Sequence, residues 1–81
     1  MKTKYKYIHF VEAEGENKTV SGKTAYECKN NKTKTTLAII FWYQPWKEYC
    51  FTQADSNVIF NDGCLTDTID FIRQLKATEQ A

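Results

Sequence analysis

Seven consecutive apolar residues, Leu37-Ala38-Ile39-Ile40-Phe41-Trp42-Tyr43, constrain this chain more than any other feature. The run is far shorter than the roughly 20 residues that span a bilayer, so protein must bury it. Its β-branched and aromatic residues favour a strand over a helix. A strand that is apolar at both parities is one covered on both faces. The run therefore predicts a central strand, Thr33 to Tyr43, with a helix on one side and a second subunit on the other. The chain has 81 residues, enough for a single domain over 1–81 with a thin core.

The flanking segments supply the remaining layers. Lys4 to Glu12 alternates, with Tyr5, Tyr7, His9 and Val11 on one side and Lys4, Lys6, Ile8, Phe10 and Glu12 on the other. That period predicts a strand. Glu14 to Lys23 is polar and holds two glycines, the pattern of a loop. Thr24 to Lys29 alternates again, and Asn30-Asn31-Lys32 marks a turn. Gln44-Pro45-Trp46-Lys47 ends the long strand, because Pro45 cannot donate to a ladder. Glu48 to Thr52 and Val58 to Phe60 complete five strands. Asn61-Asp62-Gly63 offers a helix cap. Cys64 to about Ala77 predicts the one helix, with Leu65, Ile69, Ile72 and Lys76 on one strip and Thr68, Phe71 and Leu75 beside it. The expected architecture is α+β: an antiparallel β-meander of about five strands with the C-terminal helix packed on one face.

Several function classes fall away. The net charge of +1 provides no global field for nucleic acid. Charge is uneven, however: eight lysines against four glutamates precede Leu37, and three basic against six acidic residues follow Thr36. The basic start, Met1 to Lys6, is followed by no apolar stretch of signal-peptide type. A cytoplasm is the expected location, with no membrane partner. Cys28, Cys50 and Cys64 are odd in number and lack C-x-x-C spacing, which points to reduced structural thiols. The Asn17-Lys18-Thr19 sequon carries no weight without secretion.

Candidate chemistry is sparse. His9 is the single histidine, so no His pair exists for a metal or a proton relay. Cys64 falls in the first helical turn, where the dipole favours a thiolate, but it has no recognisable base. Asp67 and Asp70 read as partners of the helix dipole. No cofactor and no metal are implied, and the chain reads as non-enzymatic. The concentrated signal is the segment Phe41 to Phe51, with six aromatics in eleven residues around a proline. Trp42, Trp46 and Tyr49 near a hairpin end, with Lys47 beside them, combine stacking surfaces with a cation. Two uses compete: core plus dimer interface, or the wall of a binding site for a base or a partner.

At these residues the chain resembles a family of small proteins common in bacteriophage, prophage and plasmid genomes. Its elements are an opening K-[YF]-I-x-F, a W-Y-x-P-W-x-x-Y-C-F hairpin, a short T-V-F-type strand and C-L-x-D-I-x-x-F-I. The counterparts here are Lys6 to Phe10, Trp42 to Phe51, Asn57 to Phe60 and Cys64 to Ile72. Val58-Ile59-Phe60 departs from Thr-Val-Phe, and Thr68-Ile69 from isoleucine followed by a variable residue. The resemblance implies a phage accessory factor acting on the host, and anti-defence activity by binding as its leading form. The expected ligand is a nucleotide immune signal, sequestered between the subunits of a homodimer. Trp46, Lys47, Tyr49 and Trp42 would form the site, with Lys4 and Lys6 reaching phosphates. The alternatives are an inhibitor docked on a host defence protein and a single-stranded nucleic-acid-binding module.

Overall fold

The computed structural model describes residues 1–79. The fold is α+β, with β1 (Ile8–Glu12), β2 (Thr19–Val20), β3 (Lys23–Thr24), β4 (Tyr26–Asn30), β5 (Thr36–Tyr43), β6 (Glu48–Gln53) and α1 (Asp62–Glu79). Four strands form an antiparallel sheet in the order β1-β4-β5-β6, and β2 and β3 pair separately. The expected central strand is β5, which lies between β4 and β6. Register assigns the faces. Phe10 pairs with Cys28, Cys28 with Ala38, and Ile40 with Phe51. These residues meet α1 through Phe71 and Leu75 in one core. The Phe71 ring stacks on Phe10 at 4.1 Å and meets Tyr26 edge-on at 5.2 Å.

Asn61 caps the helix as its sequence position suggests. Its Oδ1 accepts from the Cys64 amide at 2.8 Å, which satisfies one of the free donors of a first turn. Of the two helical strips, the one holding Thr68, Phe71 and Leu75 is buried. Thr68 is accommodated because its hydroxyl donates to the Cys64 carbonyl at 2.8 Å. Leu65 and Ile69 remain 45% and 49% exposed. Among the described residues, no helix is long and apolar enough to cross a membrane.

Three segments differ from expectation. The strand predicted from Lys4 begins only at Ile8, because the chain reverses at Lys6-Tyr7. The Tyr5 amide donates to the Ile8 carbonyl at 2.9 Å and the Phe10 amide to the Thr3 carbonyl at 2.8 Å. That reversal carries Tyr5 off the Tyr7–His9–Val11 side and sets its ring edge-on against Phe10 at 5.8 Å. Within the predicted loop, β2 and β3 form a two-residue hairpin. Its turn residues Ser21 and Gly22 both have positive φ, 55° and 82°, the signature of the twisted turn that suits a hairpin. Val58 to Phe60 is no strand. The Gln53 side chain donates to the Val58 carbonyl at 2.8 Å, Phe60 folds edge-on onto Phe51 at 5.4 Å, and Ile59 is 90% exposed. The sheet therefore has four strands, not five.

Candidate functional site

The aromatic segment is the β5–β6 hairpin and its loop, Gln44-Pro45-Trp46-Lys47. Two hydrogen bonds close the loop: the Trp46 amide donates to the Tyr43 carbonyl and the Lys47 amide to the Gln44 carbonyl, each at 3.1 Å. Lys47 takes a positive φ of 51°, a left-handed residue that returns the chain into β6. Because side chains alternate along a strand, the hairpin deals its aromatics to opposite faces. Trp42 pairs with Tyr49 and Phe41 with Cys50.

On the helix side, Trp42 meets Tyr49 edge-on at 5.5 Å. The Trp42 indole donates to the Gln44 side-chain oxygen at 2.7 Å. The Lys23 ammonium stands 4.7 Å from the Trp42 ring centroid, a cation–π contact. The Tyr49 hydroxyl donates to the Thr24 carbonyl at 3.3 Å, which fixes the β2–β3 hairpin against the sheet. Between that hairpin and the C-terminal half of α1 lies a cleft of about 280 Å³, walled by Lys23, Tyr26, Tyr49, Leu75 and Thr78.

On the opposite face, Phe41, Tyr43 and Trp46 form a row of edge-to-face contacts. Ring centroids are 6.1 Å apart for Phe41–Tyr43 and 5.0 Å for Tyr43–Trp46. Trp46 is 66% exposed. The row follows β5 beside Ile39, while the β4 half of this face is polar. There Glu27 accepts from the Thr36 hydroxyl at 2.8 Å and lies 4.0 Å from the Lys29 ammonium.

The structure thus brings together Trp42 and Tyr49, and places Trp46 and Lys47 at the loop with Trp46 facing the other way. Lys4 and Lys6 are not part of this group. Both precede β1, whose first residue pairs with Asn30 at the end of β4 remote from the hairpin loop. Lys6 instead lies over the Tyr7 ring at 5.2 Å, and Lys4 forms an isolated bridge with His9. Sequence reading missed Lys23 and Tyr26. The signal for Lys23 was present in Ser21-Gly22, a turn dipeptide that folds the next residue back over the sheet.

The His9 ring nitrogen Nδ1 lies 2.7 Å from Asn31 Oδ1. Asn31 spends its amide protons on the Tyr5 and Lys6 carbonyls, at 2.9 and 3.2 Å, so its oxygen accepts and His9 Nδ1 carries the proton. Cys28, Cys50 and Cys64 are free thiols. Burial, then the neighbouring Cys64, pushes the Cys28 thiol up to about 12. Burial and Glu48 also raise the Cys50 thiol. Both therefore hold their protons at neutral pH, which opposes a nucleophilic role. No protein-family model, no curated protein and no solved structure matches this chain.

Proposed function

We propose that this protein is a phage-encoded, non-enzymatic anti-defence factor that acts by binding a host defence protein through its aromatic row. The observation that carries this reading is the line Phe41–Tyr43–Trp46 at a hairpin end, half-buried at Phe41 and exposed at Tyr43 and Trp46. A tryptophan held edge-on by a tyrosine is preorganised, and such residues dominate protein–protein contacts.

A second reading, sequestration of a nucleotide signal, rests on the cleft beside Lys23, Tyr26 and Tyr49. Its volume of about 280 Å³ lies just below the usual ligand-pocket range of roughly 300–1,000 Å³. The carbonyl end of α1 also borders it through Leu75 and Thr78, and that end of a helix disfavours phosphate. The protein-docking reading is therefore the stronger one.

Affinity capture from cells carrying an active defence system tests it. Wild-type protein should retain one defined host protein, and Trp46→Ala should lose it while keeping its thermal midpoint. Recovery of a nucleotide by native mass spectrometry, unchanged in Trp46→Ala and lost in Lys23→Ala, would transfer the function to the cleft. Capture of the same host protein by Trp46→Ala at wild-type yield would refute the assignment of the row.

A further inference from the structure

We infer that the cleft beside β1, walled by Thr3, Lys4, His9, Phe10, Val11 and Lys34, binds a phosphate ion or the terminal phosphate of a small molecule. This site is separate from the aromatic row and does not depend on what that row binds.

The first observation is convergence. The segment before β1, β1 itself and the turn between β4 and β5 each bring a basic side chain to this one cleft: Lys4, His9 and Lys34. The backbone fixes their meeting. The Phe10 amide donates to the Thr3 carbonyl at 2.8 Å and Lys4 bridges His9, which lays the opening segment along β1. The Asn31 amide donates to the Tyr7 carbonyl at 2.9 Å, which ties the β4–β5 turn to the same end of the sheet. The Phe10 ring is buried and offers no face to a base.

The second observation is charge without a counter-charge. Lys2, Lys6 and Lys23 lie over aromatic rings, and Lys29 lies beside Glu27. Among the described residues, Lys4 and Lys34 form neither an ion pair nor a ring contact, and no carboxylate walls the cleft. Part of the lysine excess before Leu37 is thus gathered at one concave point, where walls of low dielectric focus its field on an anion.

The third observation is how the histidine and the turn are set. Asn31 holds the His9 proton on Nδ1, which leaves Nε2 as the nitrogen for a ligand. A neutral ring accepts there from a P–OH group, and a charged ring donates to a phosphate oxygen. Lys34 has a φ of 63°, in the left-handed region where glycine or asparagine is the ordinary occupant. A lysine at that position costs stability and supplies an ammonium to the cleft.

Size sets the class of ligand. The cleft measures about 190 Å³, below the roughly 300–1,000 Å³ that encloses a drug-sized molecule. It takes a tetrahedral anion and leaves the remainder of any larger ligand in solvent. For so small a group the ceiling on affinity is a dissociation constant of about 3 µM.

Titration of the full chain with inorganic phosphate, from about 10 µM to about 10 mM at constant ionic strength, tests the inference. His9 is the single histidine, so its ring signals in a proton–carbon NMR spectrum report on the cleft directly. They should shift saturably, and phosphate should raise the thermal midpoint. Lys34→Gly suits the left-handed turn, so this variant should fold with an unchanged or higher midpoint in the absence of phosphate. Its affinity for phosphate should fall about tenfold, the loss of one charge-assisted hydrogen bond. Lys32→Gln, in the same turn but outside the cleft, should bind like wild type. Glycerol phosphate bound as tightly as inorganic phosphate would make a terminal phosphate the ligand, and a preference for inorganic phosphate would make it the free ion; both uphold the inference. Three results would overturn it: no saturable shift of the His9 signals, a Lys34→Gly protein that binds like wild type, and an equal loss in Lys32→Gln, which would reduce the effect to the general charge of the turn.

Discussion

Removing one oxygen atom tests how the N-terminus is fastened to the helix. The Tyr5 hydroxyl donates to Asp70 Oδ2 at 2.7 Å and accepts from the Gln74 side-chain amide at 3.0 Å. Gln74 also exchanges two bonds with the Lys2 backbone, at 2.7 and 2.8 Å. Tyr5→Phe deletes both hydroxyl bonds and keeps the ring that meets Phe10 edge-on. It also keeps the face above which the Lys2 ammonium sits, 4.7 Å from the centroid. A hydrogen bond to a charged group contributes about 1.5–3 kcal/mol, and a neutral one about 0.5–1.5. Asp70 is exposed and regains water in the variant, so the low ends apply and the expected loss is about 2 kcal/mol. In a domain of this size that loss lowers the midpoint by roughly 8–16 °C.

The same contact predicts a pH signature. Burial, and then the bond to Asp70, raise the Tyr5 phenol well above its ordinary value. A group with a raised folded pKa contributes stability that is complete below its unfolded value, about 10 for tyrosine. That contribution is lost as pH climbs toward the folded value. The stability gap between wild type and Tyr5→Phe should therefore be flat from pH 6 to about 9 and close in more alkaline solution. Urea denaturation of both proteins, completed by Asp70→Asn as a double-mutant cycle, measures the coupling. A loss under about 0.5 kcal/mol, with no coupling to Asp70, would refute the fastening role.

Other outcomes follow from the core. Phe71→Ala removes the ring that stacks on Phe10 and meets Tyr26 edge-on and should cost about 3–5 kcal/mol in urea denaturation, a large share of the stability of so small a domain. Cys28 is buried, whereas Cys50 and Cys64 are partly exposed. A thiol-specific disulfide reagent at pH 8 should therefore modify two thiols quickly and Cys28 only as the protein unfolds, as counted by mass spectrometry.

The sequence made the middle of the molecule legible and left its margins obscure, for physical reasons. The run Leu37–Tyr43 could satisfy its apolar character at both parities only as an inner strand, and β5 is one. Asn61 and the charge order of α1 marked the helix. Tyr5 was misplaced because alternation continues through Lys6-Tyr7, a reversal with no glycine, proline or asparagine to announce it. Strands β2 and β3 have two residues each, too few to show a period. Val58 to Phe60 has the composition of a strand but no free ladder beside it that the structure uses. The two strips of α1 were equally apolar on paper. Tertiary packing chose Phe71 over Ile69 because an aromatic ring reaches between β1 and β4. At the candidate site, Trp42, Tyr49 and Trp46 were visible as a cluster. Their division between two faces became clear only with the register of β5 and β6.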